Sequence, residues 1–320
     1  MNLNETPFFE RHKDLLQSGS VLLVGTVLLT GAAVAALSSF ETIPEPVQTA
    51  AAVNALPAPD AYENMRLIAD SAIVYDLVTG EVLYSKDADR SLPLASITKL
   101  LTMYAAAGTL QDASPVSITL DALEEEGESG FIEGETFMFK DLARLTLVAS
   151  SNDGAAAIAH AAASSKNTDD EQLLADAASV AGLSHTRAAN GTGLDIDTTE
   201  AGAYGSARDV ATLAGKLLAK APAIAGSTVA RSITVRSQDG TVHTLPNTNQ
   251  DVVQVPGILL SKTGYTDLAG GNLVVVYDAG FGHPIAVVVL GSTRNGRFID
   301  VESLIRATGA HFAGVSDSYR

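Results

Sequence analysis

The longest apolar run lies near the start of the chain. No charged residue occurs from Leu15 to Phe40, and this stretch exceeds the roughly 20 apolar residues that carry a helix across a bilayer. One membrane-spanning helix over 15–40 is expected. Arg11 and Lys13 precede it, whereas Glu41 and Glu45 follow it with no base before Arg66, so the positive-inside bias leaves residues 1–14 as a cytoplasmic tail. Ala33-Val34-Ala35 also fits a signal-peptide cleavage site, which is the competing expectation. Either way the bulk of the chain is exported. Residues 41–60 hold Pro44, Pro46, Pro57 and Pro59 among alanines; they cannot build a core and read as an extended tether.

From residue 61 to 320 the pattern is that of a folded domain. "SAIVYDLVTGEVLYSKD" contains two β-rich runs around Thr79-Gly80 and predicts a hairpin. "LPLASITKLLTMYAAAG" then shows helical spacing, closed by Gly108. Helical patterns continue in "FKDLARLTLVASSNDGAAAIAHAAA", "DEQLLADAASVAGL" and "SARDVATLAGKLLAKAP". Strand signals return at "RSITVRSQDGTVHTL", with Asp239-Gly240 suited to a tight turn, and at "GILLSKTG", "GNLVVVYDAG" and "PIAVVVLGS". A last helix runs from about Arg297 to Phe312. Strands at both ends with helices between them imply an α+β fold. An antiparallel sheet of about five strands would be flanked by helices and interrupted by a helical insert at about 105–220.

Composition excludes several functions. The chain carries 20 basic against 37 acidic residues, a formal charge of −17, so it lacks the cationic surplus that nucleic acid demands. Asp121, Glu124, Glu125, Glu126, Glu128, Glu133 and Glu135 precede the next base, Lys140, and read as a solvated loop without assigned function. There is no cysteine, hence no disulfide, thiol nucleophile or thiolate metal site. The six histidines (His12, His160, His185, His243, His283 and His311) have no metal-ligand spacing. No metal or cofactor is expected.

Three segments remain as candidates for chemistry. Ser96 and Lys99 in "ASITKLLT" stand at i and i+3, so the amine can reach the hydroxyl. A serine needs a base to act as nucleophile at neutral pH, and a lysine can be that base only where burial or a neighbouring cation favours its neutral form. The plain alternative is a first-turn serine beside a solvated lysine. Ser150 and Asn152 in "VASSNDGAAA" fall between two helical patterns, where polar groups either cap or join a site: Ser150 as proton relay, Asn152 as an amide that orients substrate backbone. Lys262, Thr263 and Gly264 in "LLSKTGYTDLAGGN" end an apolar strand. A lysine and a hydroxyl together suit an anionic terminus, and glycine would let a substrate backbone lie against the strand.

The ordered set S-x-x-K, S-x-N and K-T-G resembles that of the low-molecular-mass penicillin-binding proteins, specifically the serine-type D-Ala-D-Ala carboxypeptidases. Ser151 stands where that family usually has glycine, and "NTN" at 247–249 is similar too. The resemblance runs from about Ser71 to Phe312. It implies a β-lactamase/transpeptidase-like fold and an enzyme at the bacterial cell membrane that removes the terminal D-alanine of peptidoglycan stem peptides, with β-lactams as inhibitors. Ser96 would attack with Lys99 as base, the backbone amides of Ser96 and Tyr265 would hold the oxyanion, and Ser150 with Lys262 would protonate the departing D-alanine. Lys262 and Thr263 would bind its carboxylate. Two cations near one serine would favour a neutral Lys99. No E-x-x-L-N-like segment follows Asn152, "HTRAANGTGLD" standing in that region, so fast β-lactam hydrolysis is disfavoured. Endopeptidase action on crosslinks, and a non-turnover sensor of stem peptides or β-lactams, remain the alternatives.

Overall fold

The computed structural model describes residues 60–127, 129–250, 254–280 and 282–314. The expected tail and membrane span, and all of the expected tether except residue 60, lie outside them. Among the described residues no helix is long and apolar enough to cross a membrane.

The order of elements is β1 (Ser71–Asp76), β2 (Val82–Lys86), β3 (Leu92–Pro93), a 3-10 turn (Ala95–Thr98), α1 (Lys99–Ala106), β4 (Pro115–Ser117), α2 (Leu120–Leu123), β5 (Thr136–Met138), α3 (Phe139–Ala149), α4 (Asn152–Lys166) and α5 (Asp170–Val180). There follow β6 (Arg187–Ala188), β7 (Ala203–Gly205), α6 (Ala207–Lys220), α7 (Pro222–Ala225), β8 (Ser232–Arg236), β9 (Val242–Pro246), β10 (Ile258–Thr266), β11 (Gly270–Asp278), β12 (Pro284–Ser292) and α8 (Gly296–Phe312). The main sheet has five strands in the order β10-β11-β12-β1-β2, every pair antiparallel. This matches the expected α+β sheet with a helical section between its halves.

The apolar runs of β11 and β12 are continuous because both faces of the sheet are covered. Leu273, Val275, Val287 and Val289 pack with Val301, Leu304 and Ala307 of α8. Their alternating neighbours Val274, Val276, Val288 and Leu290 join the larger core, which includes Leu100, Leu101, Val210 and Leu213 of α1 and α6. The alternation of side chains along a strand requires this division.

Two expectations change. The hairpin β8-β9 is a sheet of its own, outside the five strands, because Ile233 and Val235 turn inward to the helical core while Ser232, Thr234 and Arg236 face out. The acidic stretch is not wholly solvated: Glu135 is 3% exposed, its carboxylate 2.7 Å from His243 Nε2, and that ring meets Phe131 and Phe137. Glu125 is half-buried.

Asp76 closes the β1-β2 turn by accepting hydrogen bonds from the amides of Val78 and Thr79 and pairing with His283. Burial pushes its pKa up, but the His283 and turn hydrogen bonds outweigh burial and bring it from 3.8 to about 2. A carboxyl depressed on folding contributes stability above its unfolded pKa and loses it as pH falls towards the folded one. Between about pH 5 and pH 2 the wild type should therefore lose about 2 kcal/mol that Asp76→Asn does not lose. Urea denaturation across that range reads this directly, and parallel curves for the two proteins would refute it.

Candidate active site

Ser96 lies on a turn that the chain reaches through a strained residue. Ala95 has φ +49, a conformation that costs a residue with a Cβ about 1–2 kcal/mol. Its surroundings hold it there. Asn272, fully buried on β11, donates from Nδ2 to the carbonyls of Pro93 and Leu94 at 2.9 and 3.0 Å, and the Thr98 hydroxyl donates to Ala95 O at 2.7 Å. Two glycines allow the close packing. A Cβ at Gly264 would lie 2.8 Å from Leu94 O, and one at Gly193 would lie 2.0 Å from Ala95 O. Gly264 therefore has a different task from the one expected: its bare face meets the turn that carries Ser96, not a substrate backbone.

Ser96 lies not in an α-helix but in the 3-10 turn that begins at Ala95, with α1 starting at Lys99. Three residues per turn eclipse positions i and i+3, and Lys99 Nζ lies 2.9 Å from Ser96 Oγ. Lys99 is completely buried. Its amine also meets Asn152 Oδ1 at 2.6 Å and the carbonyl of Thr192 at 2.7 Å. Burial lowers its pKa from 10.5 to about 7, against the opposing fields of Glu125 and Asp153. Of the two expected causes, burial and a second cation, desolvation is the one that acts, and the charges that modulate it are carboxylates.

Asn152 departs from expectation in the same way. Its Oδ1 is engaged by Lys99 and its Nδ2 donates to the carbonyl of Glu126, so the amide locks the base in place. Ser151, the N-cap of α4, accepts from the Gly154 amide at 2.9 Å and from Ser129 Oγ at 2.6 Å. The loop that contains Glu126 and Ser129 is thus fastened to the first turn of α4.

Ser150 sits between α3 and α4 with φ +60, the break that separates the two helical patterns. Lys262 Nζ donates to Ser150 Oγ at 2.8 Å and to Thr263 O at 2.9 Å. Burial, then the charges of Lys99 and Arg297, push its pKa well below the ordinary lysine value. Strand alternation turns Thr263 to the other face, where its hydroxyl meets Thr248 Oγ1 at 2.7 Å. Lys262 is therefore bound to Ser150, and the cations that border the cleft are two that sequence reasoning missed, Arg294 and Arg297.

These two arginines line, with Ser96, Ser150, Thr263 and Tyr265, an open cleft of about 280 Å³. Arg297 is 8% exposed and donates from Nη1 to Gly264 O at 2.6 Å, while its Nε has no partner among the described residues. Burial, then Arg294, lower its pKa to about 10. Among the described residues neither guanidinium has a carboxylate within 4 Å. Nothing local in "STRNGRFID" marks them, because it is the end of β12 that brings them to the cleft. The segment "NGTG" was also missed as a site element. Asn190 Oδ1 accepts from the Thr192 amide, the Thr192 hydroxyl and the Gly193 amide, a knot that aims the Thr192 carbonyl at Lys99. This segment occupies the region where a glutamate was sought, and it presents a backbone oxygen.

A serine backed by a buried lysine, beside the edge strand of a five-stranded antiparallel sheet, is the arrangement of the penicillin-binding and class A β-lactamase class of serine enzymes. The chain belongs to the D-alanyl-D-alanine carboxypeptidase family, whose model matches residues 58–294. It is 32% identical over 245 residues to D-alanyl-D-alanine carboxypeptidase DacF of Bacillus subtilis, a match covering 74% of this chain and 61% of that protein. It is 31% identical over 250 residues to a D-alanyl-D-alanine endopeptidase of Pseudomonas aeruginosa, covering 75% of this chain and 77% of the relative. Its fold matches penicillin-binding protein D2 from Listeria monocytogenes in the cefotaxime-bound form, with a TM-score of 0.65 and 26% identity over 76% of this chain and 98% of the other.

Proposed function

We propose that this protein is a membrane-anchored serine D-alanyl-D-alanine carboxypeptidase that shortens peptidoglycan stem peptides through an acyl-enzyme on Ser96. The observation that carries the proposal is the contact of a fully buried Lys99 amine, with a pKa of about 7, to Ser96 Oγ at 2.9 Å. A neutral Lys99 takes the Ser96 proton as Oγ attacks the carbonyl of the penultimate D-alanine. The backbone amides of Ser96 and Tyr265 receive the oxyanion, a contribution of about 10² to 10³ in rate per donor. β10 is an edge strand of the main sheet, which leaves Tyr265 free of a second neighbouring strand there. As the C–N bond breaks, the proton taken by Lys99 is relayed through Ser150, whose hydroxyl Lys262 holds, to the departing amine, and Lys99 is neutral again. Arg297 and the Thr263 hydroxyl hold the terminal carboxylate, with the Thr248 hydroxyl behind Thr263. Water then attacks the ester, the neutral Lys99 takes its proton, and that proton returns to Ser96 Oγ as the acyl–Oγ bond breaks and the shortened peptide leaves. A β-lactam bears a carboxylate at the corresponding place and acylates the same serine.

The membrane anchor is part of the proposal and rests on the uncharged run at 15–40. Endopeptidase action on crosslinks is the second reading, favoured by the similarity to the Pseudomonas endopeptidase. Full-length protein incubated with a fluorescent penicillin should label covalently, and Ser96→Ala should not. Equal labelling of both would refute Ser96 as nucleophile. Free D-alanine released from a D-Ala-D-Ala peptide separates an enzyme from a sensor that only binds.

A further inference from the structure

The cleft holds more positive charge than a single carboxylate complements. Arg297 lies in it, buried, beside Gly264 and Thr263, and suffices for the carboxylate next to the scissile bond. Arg294 is additional. Its guanidinium lies over the Tyr265 ring, 4.3 Å from the centroid, a cation–π contact that fixes the plane of the group and leaves its N–H edge open. Tyr265 is two residues beyond Thr263 on β10, so both side chains leave the strand on the same side, towards the cleft. The backbone is also built to bring Arg294 here. A Cβ on Gly271, which pairs with Tyr265, would lie 2.1 Å from Thr293 O and 3.1 Å from Arg294 N, so only glycine lets the turn after β12 cross that strand. In a chain of charge −17, a positioned guanidinium with no carboxylate within 4 Å among the described residues is a group held for an outside anion.

We infer that Arg294 is a specificity-determining residue that receives a second carboxylate on the leaving residue. The preferred leaving group would be a D-residue with an acidic side group, or a crosslinked peptide carrying a further carboxylate, in place of D-alanine itself. The inference rests on the D-Ala-D-Ala peptidase reading of the site and narrows it towards acidic leaving groups.

The test uses the full chain and three N-acylated peptides ending in D-Ala-D-Ala, D-Ala-D-Glu and D-Ala-D-Gln. The last two differ in one charge at nearly constant shape. Wild-type kcat/KM should be about fivefold higher for D-Glu than for D-Gln at low salt, as a rim charge pair allows, and the ratio should shrink at high salt. In Arg294→Ala, an exposed position, the ratio should fall to about one. A wild-type ratio near one, or a ratio that survives the substitution, overturns the inference. So does release of D-alanine with no release of either longer residue. Release of D-glutamate without D-alanine supports it and restricts the carboxypeptidase reading to acidic leaving residues, whereas no release from any of the three overturns both.

Discussion

Replacing Lys99 by methionine is expected to slow acylation of Ser96 by about 10² to 10⁴-fold, the range a positioned general base contributes. Methionine fills similar volume without an amine, so the core around α1 is kept, although Asn152 Oδ1 and the Thr192 carbonyl lose their donor. Each orphaned buried acceptor costs about 1–3 kcal/mol, and the rate must be taken per folded molecule, with circular dichroism alongside. The same residue sets the pH profile of the wild type. Protonated Lys99 cannot accept the Ser96 proton, so acylation should fall about tenfold per pH unit below a pKa of about 7 and level off above it. Stopped-flow acylation by a penicillin measures both. A flat wild-type profile from about pH 5.5 to 8.5, or a methionine variant within tenfold of wild type, would remove Lys99 from the role of base.

The second large effect is expected at Gly193, which touches no reacting atom. It has φ +76, and a Cβ there would lie 2.0 Å from Ala95 O and 2.6 Å from Thr98 Oγ1. Gly193→Ala must push back the turn that carries Ser96 or pull the Thr192 carbonyl off Lys99. A destabilisation of about 2–4 kcal/mol is expected, combining left-handed strain with the clash, together with loss of penicillin labelling. Gly182 supplies the control, because it has φ +68 and nothing within 4 Å of its missing Cβ. Gly182→Ala should cost only the conformational part, about 1 kcal/mol, and keep labelling intact. Equal losses in thermal unfolding at the two positions would show that the clash does not matter.

Much of the architecture was legible because it depends on local periodicity. The β1-β2 hairpin, the apolar strands β10 to β12, the paired helices α3 and α4 and the terminal α8 all follow from alternation or helical spacing and from glycines or polar breaks at their ends. The short strands β4 and β5 were not seen, since three-residue pairs carry too little pattern, and β8-β9 was not distinguishable from a strand of the main sheet until Ile233 and Val235 found their partners.

The site divides along the same line. By itself the sequence determined that Ser96 and Lys99 meet, because an i, i+3 pair is brought together by any tight helical turn, and that Ser150, Lys262 and Thr263 belong with them, because their ordered motifs resemble those of a known family. Only the tertiary structure decided what these groups do to one another. Desolvation of Lys99 is a property of everything packed around it. The Asn152 amide is taken up by a loop some 25 residues earlier, Gly264 serves the Ser96 turn, and Arg294 and Arg297 reach the cleft from the far end of β12. Burial, charge and close approach are sums over neighbours distant in the chain, and no local pattern carries such sums.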